Sequence, residues 1–138
     1  MAVAERPELR IAPSRIGLTG LRSYFWLDHV PPTVWATASV PGVLVTAEAR
    51  PVRYGWNFGE GHALTTANIG RAWSRRVPGS ISHLYERRGH YPVEVQVVWE
   101  ARWRIGAGPW THLGYFSNST ARDYPVRQMV GRLTRRSY

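Results

Sequence analysis

The chain has no cysteine and no lysine. Without thiols it forms no disulfide, holds no metal through thiolate and has no cysteine nucleophile, so it must stand on packing alone. Aspartate occurs only at Asp28 and Asp123, which leaves no paired carboxylates for glycoside hydrolysis or other acid–base work. The five histidines, His29, His62, His83, His90 and His112, show no His-Glu-x-x-His or other ligand spacing, and Gly-x-Ser-x-Gly is absent. No enzyme activity, cofactor or metal is expected. No apolar run approaches the roughly 18 residues that would cross a bilayer. Met1 to Pro13 carries Glu5, Arg6, Glu8 and Arg10 where an export signal would have its hydrophobic core.

What remains is aromatic and basic. Hydrophobic residues make up 43% of the chain, with seven Trp and seven Tyr, so it folds. Its 138 residues suit a single domain. All 18 basic residues are arginine, and the net charge is +9. Together with abundant Ala, Gly, Pro and Val, this reads first as the coding bias of a high-GC genome and a basic solvated surface. A surface for a polyanion (nucleic acid, anionic lipid or phosphate-rich wall polymer) is the second reading.

The clearest structural signal lies at 91–105, where Tyr91, Val93, Val95, Val97, Trp99, Ala101, Trp103 and Ile105 occupy every odd position. A period of two over this length predicts one pleated strand with a buried and a wet face. Unbroken, it would reach about 50 Å at roughly 3.3 Å per residue. It is expected to bend near Glu100 or to run past the main sheet into a second hairpin.

Residues 1–15 read as a flexible tail, and 16–27 as a first strand or an aromatic plug over one end of the core. Strands follow at 33–40 and 43–49 around Pro41-Gly42, then at 53–58 before the turn Gly59-Glu60-Gly61. Residues 62–79 show no periodicity and read as a long loop. A strand at 80–85 and a turn at 86–89 lead into the long strand. Gly106 to Pro109 turns the chain back through 110–116, and Ser117 to Thr120 reads as a polar loop. The segment 122–133 fits a closing strand better than a helix, because Pro125 and Gly131 interrupt it. The domain is placed at 16–134, with a basic tail at 135–138. Short strands and frequent turn signals predict an all-β antiparallel sandwich.

Trp56-Asn57-Phe58-Gly59-Glu60-Gly61, then His83-x-Tyr85, then Gly89-x-Tyr91-x-Val93-x-Val95 resembles the PKD (polycystic kidney disease) domain family, with the motifs in its order over residues 33–100. The resemblance implies an immunoglobulin-like sandwich, to which this chain adds a C-terminal hairpin. It also implies a secreted or cell-surface module for binding, spacing or assembly, and hence a start upstream of Met1. Trp56 suits the space between two sheets, and Gly59 and Gly61 suit a tight reversal. Tyr85 is placed for a tyrosine corner. Asn57 and Glu60 stand where the family favours aspartates, and Glu60 is a methylene longer than that turn requires.

The expected function is therefore a non-catalytic extracellular or cell-surface module of a high-GC bacterium that binds protein or cell-wall glycan. Its contact surface would be Arg71, Trp73, Arg75 and Arg76 of the 62–79 loop, with Trp110. A basic nucleic-acid-binding protein is the alternative, since those arginines, with Arg87 and Arg88, mix with an aromatic. A self-assembling subunit that offers the long strand as an edge is the third reading. Glu94, Glu100, Arg102 and Arg104 share the wet face of that strand and are expected to form surface ion pairs.

Overall fold

A computed structural model describes residues 3–130. Among them lie nine strands and no helix: β1 (Leu9–Ala12), β2 (Gly17–Leu18), β3 (Arg22–Leu27), β4 (Val34–Val40), β5 (Val43–Asn57), β6 (Ala63–Thr66), β7 (Ile81–Leu84), β8 (Gly89–Ile105) and β9 (Thr111–Arg127). A three-stranded sheet, β1-β3-β7, faces a six-stranded sheet ordered β2-β9-β8-β5-β4, with β6 also paired to β5. All pairings are antiparallel except the short parallel contact of β2 with β9.

The alternation that marks β8 is what closes the sandwich. Val93, Val95, Val97 and Trp99 point inward and are essentially inaccessible, facing Phe25, Leu27, Ile11 and Ile81 of the smaller sheet. Each such side chain contributes about 1.5–3 kcal/mol by leaving water. Tyr54 and Trp56 of β5 and Tyr124 and Val126 of β9 complete that layer.

Only half of the large sheet is covered. Beyond Trp99, β8 continues beside the first half of β5, and the β4–β5 and β8–β9 hairpins run on together as a four-stranded arm. Pro51 and a register shift between Pro51 and Arg53 mark the junction on β5, where β4 ends and β6 begins. Proline donates no ladder bond, so a break in register falls there at little further cost. The long strand thus runs past the main sheet, as one of the two expectations had it.

Several expectations are corrected. The supposed tail of residues 1–15 supplies β1, whose Leu9 and Ile11 are buried against β3. Two apolar residues at alternate positions sufficed to dock it, and flanking prolines and charges masked so short a signal. Residues 43–57 are one strand, and the 62–79 loop opens with β6. Ser117 to Thr120 lies within β9, its polar side chains bonding Gln96 and the backbone at Pro7. β8 is an interior strand between β5 and β9, not an edge. The closing segment is strand as far as Arg127. Residues 131–138, which include the expected basic tail at 135–138 with Arg135 and Arg136, lie outside the described residues.

Candidate functional site

The motif residues gather at one end of the sandwich and hold each other. Trp56 is buried with its indole N–H donating to Thr66 Oγ1 at 2.8 Å. Asn57 Oδ1 accepts from the Gly59 N–H at 2.9 Å. Gly59 has φ +92°, and a Cβ there would lie 2.9 Å from Tyr91 Cβ and from the Pro92 nitrogen, so no side chain fits. Gly61 also has positive φ but faces open space. Glu60 reaches across to the His83 ring, and His83 stacks on Phe58 with centroids 4.8 Å apart. The buried Tyr85 hydroxyl donates to Phe58 O at 2.7 Å, and burial pushes its pKa well above the ordinary tyrosine value. Tyr91 donates to Arg87 O at 2.6 Å and packs on Tyr85. Gly89, with no positive φ, stands where a Cβ would make ordinary contact with the Tyr91 ring. These bonds hold the turn against the strands.

A second titratable cluster ties down β1. His29 bonds Glu5 at 2.6 Å and Asp28 at 3.2 Å, while Arg10 bonds Asp28 and Glu8. The bonds to Asp28 and then Glu5 hold His29 above its ordinary range. His29 first, and Arg10 after it, draw Asp28 below the usual carboxylate value against some desolvation. Glu8, Asp28 and His29 bring ligand atoms within 4.8 Å of one another. All three are exposed and engaged in these ion pairs.

The family model for the PKD domain matches residues 29–112. The chain belongs to the PKD domain family. PKD domains are generally extracellular interaction or spacer modules, and typically non-catalytic. Neither a curated protein nor a solved structure matches the chain. The match spans the Trp56 turn, His83, Tyr85 and the β8 alternation, and it takes in most of the arm. β1 and β3, two of the three strands of the smaller sheet, precede it, as does β2.

The sequence-predicted contact residues fall into two separate places. Trp73 lines a cleft of about 530 Å³ with Ala12, Pro13, Gly20, Leu21, Arg22 and Tyr24. Its loop is held rather than loose: Arg71 bonds Pro78 O through its side chain and Ser80 Oγ through its backbone, and Ser74 closes a turn onto Val77. Arg75 and Arg76 are exposed on the same loop. Trp110 is not there. It lies on the outer face of the arm, with the guanidinium of Arg102 at 4.2 Å and that of Arg104 at 4.5 Å from its ring, and Trp35 beside it at 6.3 Å.

The geometry of that face follows from register. Even-numbered residues of β8 point outward, Arg102 pairs with Glu48 and His112, and Arg104 with Thr46. The turn at 106–109 returns Trp110 over those two arginines. Arg102 bonds the buried Glu48 carboxylate at 3.0 and 3.1 Å. Arg104 has no ion pair among the described residues, and its Nε is covered without a hydrogen-bond partner. Further along, Arg53 sits over Tyr115 at 5.4 Å, and Arg50 pairs with Glu100 at 3.3 Å. Of the four residues expected to form surface ion pairs, Glu100 pairs with Arg50 and Arg102 with the buried Glu48, both across strands from β8 to β5, while Glu94 and Arg104 form none among the described residues. Trp35 and Tyr115 are more than half exposed.

Sequence reasoning missed Trp35, Arg53 and Tyr115 as members of this face, and it placed Arg104 there as an ion-pair residue and not as a contact. The observed pairing of Trp103 with Thr111 places residue 110 opposite residue 104, one position away from the register that a four-residue turn at 106–109 sets. Trp35 needed the pairing of β4 with β5, which a two-residue turn at Pro41-Gly42 fixes.

Proposed function

We propose that this PKD domain is a non-catalytic interaction and spacer module on the outside of a high-GC bacterial cell, and that it grips an anionic cell-wall glycan through the outer face of its arm. The carrying observation is the row Trp35–Trp110 with Arg104 stacked on it and lacking a carboxylate partner among the described residues. Aromatic planes suit the apolar faces of sugar rings, and an arginine fork suits the carboxylates or phosphates of such polymers. Arg102, paired with Glu48, lies against the same indole at 4.2 Å. The net charge of +9 and the family's habit of protein or carbohydrate interaction support the same reading.

Co-sedimentation with purified wall sacculi tests it. The full chain is expected to pellet with sacculi, and Arg104→Gln to reduce retention about tenfold, one lost charge-assisted contact of roughly 1.4 kcal/mol. Retention unchanged in the variant would remove the arm from the account. The same stacked arginines and the +9 charge also suit single-stranded nucleic acid. Binding to an oligonucleotide that falls steeply with salt, with none to sacculi, would establish that alternative.

A further inference from the structure

We infer that two copies of the chain join edge to edge through β4, in antiparallel register about Thr37, so that their arms form one continuous sheet. The inference does not depend on what the arm's face binds.

β4 ends the six-stranded sheet, and among the described residues nothing pairs with its second edge. Its sequence, Val34-Trp35-Ala36-Thr37-Ala38-Ser39-Val40, has no charge, no proline and no bulge. Folded proteins protect open edges with just those devices, and the other edges here have them. β1 carries Arg10 between Pro7 and Pro13, and β6 and β7 are four residues each. β9 has a register shift at its Ala101/Arg102 partners, then Arg122, Asp123 and Pro125, and β2 against its end. Among the described residues only β4 is a long, regular and unprotected edge.

The strand is also complementary to itself. Val40 pairs with Val43 across a two-residue turn, and such a closing pair exchanges both backbone bonds. Alternation then turns the N–H and C=O groups of Val34, Ala36, Ala38 and Val40 toward β5, and those of Trp35, Thr37 and Ser39 toward the open edge. A two-fold axis at Thr37 sets Thr37 against Thr37, and Trp35 against Ser39 on each side, so that every free backbone group finds a partner. On the opposite face it aligns Val34 with Val40 and Ala36 with Ala38, apolar on apolar. A chain of net charge +9 repels its own copies, and this is the edge along which no like charges meet. A polyanion would find no cation on it. The occupant that fits is therefore a second copy, in the isologous arrangement closed dimers use. One seven-residue strand buries less than the usual stable interface, so the dimer is weak, with a Kd of about 10–100 µM.

Sedimentation equilibrium of the full chain over about 1–500 µM reads the result directly. The expected outcome is a monomer–dimer equilibrium. Thr37→Lys, which opposes two like charges on the axis, is expected to stay monomeric with unchanged circular dichroism. Ala121→Lys, the same change on the β9 edge beside Glu94, is expected to dimerise like the parent. In a chain without cysteine, Thr37→Cys should cross-link to itself on oxidation, since opposed residues of an antiparallel pair lie about 5.5 Å apart. A parent that stays monomeric throughout overturns the inference. So does a Thr37→Lys chain that dimerises, or an Ala121→Lys chain that does not.

Discussion

At the residue scale, the hydroxyl of Tyr85 shows how one polar atom fixes a turn. It donates to Phe58 O inside the core, where water cannot replace it. Tyr85→Phe keeps the ring and strands that carbonyl. The expected loss is about 1–3 kcal/mol, read as a lower urea midpoint at unchanged slope. His29 gives a pH-dependent counterpart on the surface. Its raised pKa means that its contribution is complete below the ordinary 6.5 and fades as pH rises through the folded value. The lowered Asp28 contributes above the ordinary 3.8 and fades as pH falls through its folded value. Docking of β1 should therefore be firmest between about 3.8 and 6.5. An NMR titration should find His29 above 6.5, and Glu5→Gln should bring it down. Tyr85 was legible in the sequence because its spacing to Gly89 is local. The His29 network was not, since it joins residues 24 apart through a strand taken for a tail.

At the element scale, β8 is one strand with two environments. From Val93 to Trp99 its inner face is sealed against the smaller sheet, and from Ala101 to Ile105 it belongs to a single uncovered layer. Amides of the first part should exchange with solvent only on global unfolding, while those of the second open locally and exchange faster. Uniform protection along the strand would mean that something covers the arm in solution. The alternation at 91–105 was plain in the sequence, because period two survives wherever one face is buried. What the pattern left open was where its cover ended, since Trp103 and Ile105 keep the rhythm with no opposing sheet. Ser117 to Thr120 misled for the opposite reason: a polar run in an outer strand looks like a loop until its partner strand is known.

At the scale of the whole molecule, the PKD sandwich is the packed base, and the arm is the part that reaches out. Trp56, Phe58 and Tyr85 of the motif hold the base together from inside it, while Asn57, Glu60 and Gly61 lie on its surface. The aromatic residues of the arm, Trp35, Trp110 and Tyr115, and those of the cleft, Trp73 and Tyr24, divide the candidate surfaces between them. Hydroxyl-radical footprinting of the chain, free and bound to wall sacculi, reports on these rings separately. The account predicts that Trp35, Trp110 and Tyr115 lose reactivity on binding while Trp73 and Tyr24 keep theirs. Protection of Trp73 and Tyr24 with the arm unchanged would contradict it.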